Sequence, residues 1–306
     1  MELMNTRMFL WRENKCDGLA AHMDIIVLNN DCVIYNKPIA TAKTIFINTR
    51  LCHILILKFM NEILPHLSQP VNIVIAGEDY TFPNNTDVRM IRNSSPHQLN
   101  LFKELGHHKC IQRLFIENLD EELINAEAIP LGINSRECSV QADYFKKYEN
   151  IDNTKSIKFT NFNRTRDGKG QWKERGDVLH LCKNAWADFF VETKETQHSD
   201  YLSTMGKYSF TLCVHGGGLD VNPKLWEALL IGVIPIIKEN KPYTDIYIRM
   251  DLPVVIVKDW TSETITEKNL KWWHAKYYPY FTEKREEMMY YLSLDYWVHY
   301  IRSSKS

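Results

Sequence analysis

Along the first half of the chain, short unbroken apolar runs alternate with a stretch of helical periodicity. DIIVLN (24–29), TIFIN (44–48), VNIVIAG (71–77) and RLFIEN (113–118) are apolar and rich in β-branched residues. Runs of that kind suit strands covered on both faces. Between the second and third runs, Leu51, Leu55, Phe59 and Ile63 recur every four residues and predict a helix over 51–67. A polar stretch, DYFKKYENIDNTKS (143–156), interrupts the pattern, which then restarts. Strands are predicted at 157–162, 188–193, 208–214, 233–238 and 252–257, with helices at 171–184, near 199–205 and at 223–231. The aromatic-rich tail from Glu267 to Ser306 reads as mostly helical.

Strands alternating with helices predict parallel sheets flanked by helices. The expected fold class is therefore α/β: two Rossmann-like, doubly wound domains facing a cleft, with a C-terminal helical tail. The expected boundaries are 1–150 for a first domain and 151–275 for a second, with 276–306 a helix packing back on the first.

Composition adds exclusions. Lysine plus arginine (37) nearly balances aspartate plus glutamate (38), so no global field favours nucleic acid or an anionic membrane. Any anion site must be local. The first residues lack the apolar core of a signal peptide, and no run approaches a membrane span. Seven scattered cysteines with no CxxC pair argue against a disulfide framework or a zinc site. A cytoplasmic location is expected.

The chemistry concentrates in YSFTLCVHGGGLDVNPKLWEALLIGVIPII (208–237). A buried strand runs into Gly216, Gly217 and Gly218, which permit tight turns and close approach of a ligand. Asn222 suits a helix N-cap and Pro223 the first helical position. The start of that helix favours phosphate, and Lys224 adds a full positive charge there. Glu227, one turn on, shares its face and could accept the hydroxyls of a ribose.

This segment resembles the donor-domain pattern of exostosin-like glycosyltransferases, KFxLxPxGxGxDxxRxWEALxxGxIPII. Phe210, Leu212, Gly216, Gly218, Asp220, Trp226, Glu227, Ala228, Leu229, Gly232, Ile234, Pro235, Ile236 and Ile237 match it. His215 stands near the usual proline, and Lys224 replaces the usual arginine, keeping the charge without the bidentate fork. The likeness extends from IKFTNFNRTRDGKGQWKER (157–175) to LPVVIVKDWTSETITEKNL (252–270). It implies a GT-B architecture, with 1–150 the acceptor-side and 151–275 the nucleotide-sugar donor domain. It also implies an inverting, metal-independent hexosyl- or pentosyltransferase whose short soluble form resembles viral or microbial members, a virus-encoded one acting in the host cytoplasm. The implied donor is a UDP- or GDP-sugar, and the implied acceptor a hydroxyl of a glycan or glycoprotein.

By that resemblance Glu227 binds ribose, while Lys224, Arg164 and Arg175 balance the charge of the pyrophosphate and Asn163 donates to a phosphate oxygen. His215, Gly216, Gly218 and Asp220 complete the donor set. Asp79, with Glu78 second, lies after strand 71–77 and is the expected base for the acceptor hydroxyl. No Asp-x-Asp triplet occurs, so neither a metal nor any other cofactor is expected.

Bland readings stand beside these. Glu227 and Lys224 could be ordinary helix-surface charges, and Arg164, Arg166 and Lys169 a solvated turn. Arg175 could pair with Glu174 or Asp177, Asp79 and Asp220 could cap turns, and His215 could bond backbone. The pair His107–His108 diverges too far on a helix to share a metal. The aromatic tail could be core packing. A binding-only protein of the same fold, holding a nucleotide sugar or a glycan without catalysis, is the alternative function. A nicotinamide oxidoreductase is disfavoured because no GxGxxG opens either half.

Overall fold

A computed structural model describes residues 18–49, 52–77, 81–84, 96–132, 155–165, 172–193 and 198–304. The chain forms two compact units. One comprises the described residues up to 132 together with 218–220 and 293–304. The other comprises those from 155 to 217 and from 221 to 292. Among the described residues, no helix is long and apolar enough to cross a membrane.

The first unit is built on six strands: β1 (Ile25–Asn29), β2 (Cys32–Tyr35), β3 (Thr44–Asn48), β4 (Val71–Ala76), β5 (Ile111–Glu117) and β6 (Ala126–Ile129). Their order is β2-β1-β3-β4-β5-β6, parallel except for the β1–β2 hairpin at one edge. Every residue of β3 and β4 is buried, as their unbroken apolar sequences require. Helix α1 (Cys52–Lys58) continues through a π turn (Phe59–Ile63). Apolar residues four apart drift around a regular helix. The wider π turn counters that drift and keeps Leu55, Phe59 and Ile63 all buried. Helix α2 (Pro96–His107) links β4 to β5.

The strands of this sheet follow one another in sequence order from β1 onward, so right-handed crossovers put their connections on one side. The chain terminus contributes α9 (Leu294–Ser303), which meets the sheet through the side chains of Asn72, Gln112 and Glu127. Asn72 Nδ2 donates to the Ile301 carbonyl at 2.6 Å, and Tyr300 Oη donates to Glu127 Oε1 at 2.6 Å. The Tyr300 ring also meets Phe115 edge-on at 6.0 Å.

The second unit has five parallel strands: β7 (Ser156–Thr160), β8 (Phe190–Val191), β9 (Tyr208–Leu212), β10 (Ile234–Lys238) and β11 (Val255–Val257). Its helices are α3 (Lys173–Lys183), α4 (His198–Met205), α5 (Pro223–Leu230), α6 (Tyr243–Arg249), α7 (Glu267–Tyr277) and α8 (Arg285–Tyr291). The strand order, β11-β10-β9-β7-β8, decides where a ligand belongs. From β7 the chain winds outward to β8 and then returns to wind the other way through β9, β10 and β11. This sheet is doubly wound, and the winding reverses between β7 and β9. The crevice outside the carboxyl ends of strands at such a reversal is the general ligand site of open α/β sheets. Trp273 of α7 packs edge-on against Phe210 of β9, and Trp273, Phe281 and Trp297 of the aromatic tail are core residues.

Candidate functional site

The residues that follow β7 and β9 carry the site. Asn161 and Asn163 leave β7, and Cys213 to Gly216 leave β9. Arg175 of α3 ties the two loops together. Its Nε donates to the His215 carbonyl at 2.8 Å, its Nη1 to the Arg164 carbonyl at 3.2 Å and its Nη2 to the Val214 carbonyl at 3.4 Å. A Cβ at 216 would lie 2.5 Å from Arg175 Nη2, so a side chain there would displace the guanidinium.

Helix α5 starts just beyond. Asn222 caps it, its side-chain oxygen accepting from the Lys224 amide at 3.1 Å, and Pro223 occupies the first turn. Because the cap takes up that amide, the distinctive positive group here is the Lys224 ammonium. Lys224 is 8% exposed. Its Nζ donates to Asn163 Oδ1 at 2.8 Å and reaches the Leu212 carbonyl at 3.4 Å. Both acceptors are neutral, and Lys224 forms no ion pair with a described residue. Burial, reinforced by Arg175 and opposed by Cys213 and Glu227, brings its pKa down to about 8. An ammonium has three N–H donors. The third has no acceptor among the described residues.

Asn163 is held as firmly as it holds. Its Nδ2 donates to Asn161 Oδ1 at 2.5 Å and to the Leu212 carbonyl at 2.9 Å, and its Oδ1 also accepts from the Val214 amide at 3.3 Å. Asn161 Nδ2 in turn rests on Cys182 Sγ at 3.6 Å, a thiol that burial pushes up to about 12. Glu227 is 4% exposed, and its Oε2 accepts from Tyr201 Oη of α4 at 2.7 Å. Tyr201 thus fixes its rotamer.

His215 lies apart from this group. Burial pushes its imidazole below the usual value, Glu174 opposing and Lys238 reinforcing, so the ring is neutral at pH 7. Its Nδ1 is buried without a partner among the described residues. Next to it Lys238 pairs with Glu174 at 2.6 Å.

No family model matches the chain, and no curated protein matches it. Among solved structures it is similar to the pneumococcal O-GlcNAc transferase GtfA, in complex with UDP and GlcNAc. The identity is 14% and the TM-score 0.33 over 88% of this chain, which spans 57% of the length of that one. A likeness at that score carries no functional argument.

Of the residues singled out in the sequence, Asn163, Arg164, Arg175, His215, Gly216, Lys224 and Glu227 belong to the second unit and gather at the carboxyl ends of β7 and β9 or on the helices beside them. Gly218 and Asp220 belong to the first unit. Gly218 packs against the side chain of Asn118 with no room for a Cβ. The buried carboxylate of Asp220 accepts from the Leu131 amide at 2.6 Å. That bond acts as a structural clamp. Glu78 and Asp79 lie outside the described residues, as do Arg166 and Lys169. Sequence reasoning missed Asn161, Phe162 and Tyr201. Tyr201 sits in a helix that was expected, yet nothing in the spacing signals its bond to a glutamate 26 residues away.

Proposed function

We propose that this chain is a glycosyltransferase that moves a sugar from a nucleotide-sugar donor to a hydroxyl acceptor. One observation carries the reading. Where the doubly wound sheet reverses, at the start of α5, a buried lysine has neutral oxygen partners and an N–H left over. A charge in that condition is costly unless an anion completes its shell. A diphosphate does so. Arg175 adds a second positive charge nearby, which lowers the Lys224 pKa and raises the local potential for the same ligand.

Phosphate at Lys224 places the next part of a nucleotide one helical turn along, at Glu227, whose carboxylate suits ribose hydroxyls. In the transfer step the bond from the anomeric carbon to the β-phosphate oxygen breaks, and the acceptor oxygen forms the new bond. The nucleoside diphosphate departs with the bonding electrons, so negative charge grows beside Lys224. A preoriented cation stabilises that growing charge more than the ground state. The resemblance of 208–237 to exostosin-like enzymes supports the same donor class. The chain's lack of an Asp-x-Asp triplet favours departure balanced by protein cations without a metal. Displacement by the acceptor from the opposite face would invert the anomeric centre, with Asp79 or Glu78 as the base.

The test is a thermal-shift series with UDP-, GDP- and CMP-sugars, with and without EDTA. The stabilisation expected is RT ln(1 + [L]/Kd), so one nucleotide class should stand out and persist in EDTA. Glu227→Ala should lose that shift while keeping its own melting transition. A series in which no nucleotide sugar moves the transition sinks the proposal.

A further inference from the structure

We infer that Phe162, steadied by Tyr201, is the platform on which the nucleobase of the bound nucleotide stacks, an inference that rests on the nucleotide site proposed above. Three observations meet here. First, a nucleotide seated by its diphosphate on Lys224 and by its ribose on Glu227 must carry its base beyond Glu227, away from the start of α5. Second, the group found there is Tyr201, whose hydroxyl lies 2.7 Å from Glu227 Oε2. Third, the Tyr201 ring meets Phe162 in a T-shaped contact, with centroids 4.7 Å apart and planes at 84°. Both rings are half-buried, so each retains surface that the other does not cover.

Phe162 is also fixed from its own chain. It stands between Asn161 and Asn163, whose side chains bond one another at 2.5 Å, and Asn163 holds the Lys224 ammonium at 2.8 Å. Phosphate grip and aromatic surface therefore sit on one short segment after β7, and the ribose grip is tied to the same rings through Tyr201. Phe162 is half-buried, so part of its ring surface is open to a ligand. A base has an aromatic face and loses solvent on stacking, which suits it to cover such a ring.

Binding of UDP, GDP and inorganic pyrophosphate is measured by calorimetry for the wild-type chain, Phe162→Leu and Phe162→Trp, with melting curves confirming that each is folded. Leucine keeps apolar volume and removes the π face; tryptophan restores one. Expected is a loss of about five- to a hundredfold in nucleoside diphosphate affinity for Phe162→Leu, the range of base–aromatic stacking. Pyrophosphate affinity should be unchanged, and Phe162→Trp should recover the nucleotide. Equal affinity of the wild type for pyrophosphate and both nucleotides overturns the platform and leaves the phosphate site standing. So does a Phe162→Leu variant that binds all three as the wild type does, or weakens all three alike. A wild-type chain that binds none of the three overturns the nucleotide site itself.

Discussion

Arg175 lays its guanidinium where a side chain at position 216 would begin: a Cβ on Gly216 would stand 2.5 Å from Nη2. The glycine is thus a packing requirement of a specific arginine. That arginine in turn bonds the carbonyls of Arg164, Val214 and His215, tying the loop after β7 to the loop after β9.

Gly216→Ala should therefore displace Arg175 and cost about 1–3 kcal/mol, the scale of charged hydrogen bonds lost from partly buried carbonyls. Arg175→Ala should cost a similar amount. Because both act through one contact, the double variant should fall well short of the sum, which denaturant unfolding of all four chains would reveal. Additive losses would mean that the two residues act independently.

What the sequence made legible follows from physics that is local. TIFIN (44–48) coincides with β3 because polar Thr44 and Asn48 bracket its apolar run and mark its ends. The helix at α5 was readable from its cap and proline. The hairpin strand β2 (Cys32–Tyr35) and β6 (Ala126–Ile129) went unseen because each is short, half-exposed in part and set at a sheet edge. The gathering of Asn163, Arg175, Lys224 and Glu227 depends on β7 lying next to β9, a long-range pairing that no spacing encodes. Gly218 and Asp220 show the converse. They stand within the same motif, yet Asn118 and the Leu131 amide claim them, since a buried donor must find an acceptor wherever the chain offers one.

That clamp gives the second prediction. Asn118 Oδ1 accepts from the Leu219 amide at 2.9 Å, and Asp220 accepts from the Leu131 amide at 2.6 Å in a buried setting. Asp220→Ala leaves the amide unsatisfied and should destabilise the chain by about 1–3 kcal/mol. Nucleotide affinity measured well below the melting temperature should stay near the wild-type value, because the carboxylate is engaged by the Leu131 amide. A large fall in affinity without loss of stability would place Asp220 in the donor site after all.

Acid stability should depend on Asp24. Its carboxylate is buried, which alone would raise its pKa; the Lys37 ammonium at 2.7 Å and the amides of Lys43 and Thr44 outweigh that and hold it below the usual carboxylate value. A depressed folded pKa gives stability that is complete above the unfolded pKa and lost as pH falls through the folded one. Asp24→Asn should thus be less stable than the wild type at pH 7, with the difference narrowing below about pH 4. Melting curves from pH 3 to pH 7 would show the convergence; parallel curves would remove Asp24 from the account.

Lys224 offers a prediction in which stability and binding move in opposite directions. Keeping the ammonium charged at pH 7, where its pKa is about 8 against an ordinary 10.5, costs roughly 3 kcal/mol. Between pH 8 and 10.5 the unfolded chain binds more protons than the folded one, so the penalty is complete below pH 8 and shrinks as pH rises. Lys224→Met removes the charge, and the former partners keep other donors: Asn163 Oδ1 has the Val214 amide, and the Leu212 carbonyl has Asn163 Nδ2. The variant should therefore be as stable as the wild type or more so at pH 7, with any gain fading by about pH 10. Its affinity for a nucleoside diphosphate should fall at least tenfold, about 1.4 kcal/mol. Wild-type affinity should itself decline as pH rises from 7.5 to 9.5, since the free site loses its proton near pH 8 and the phosphate then has no cation to meet. A methionine variant that is markedly less stable at pH 7, and binds as well as the wild type, would make Lys224 a structural residue and remove the anion from the site.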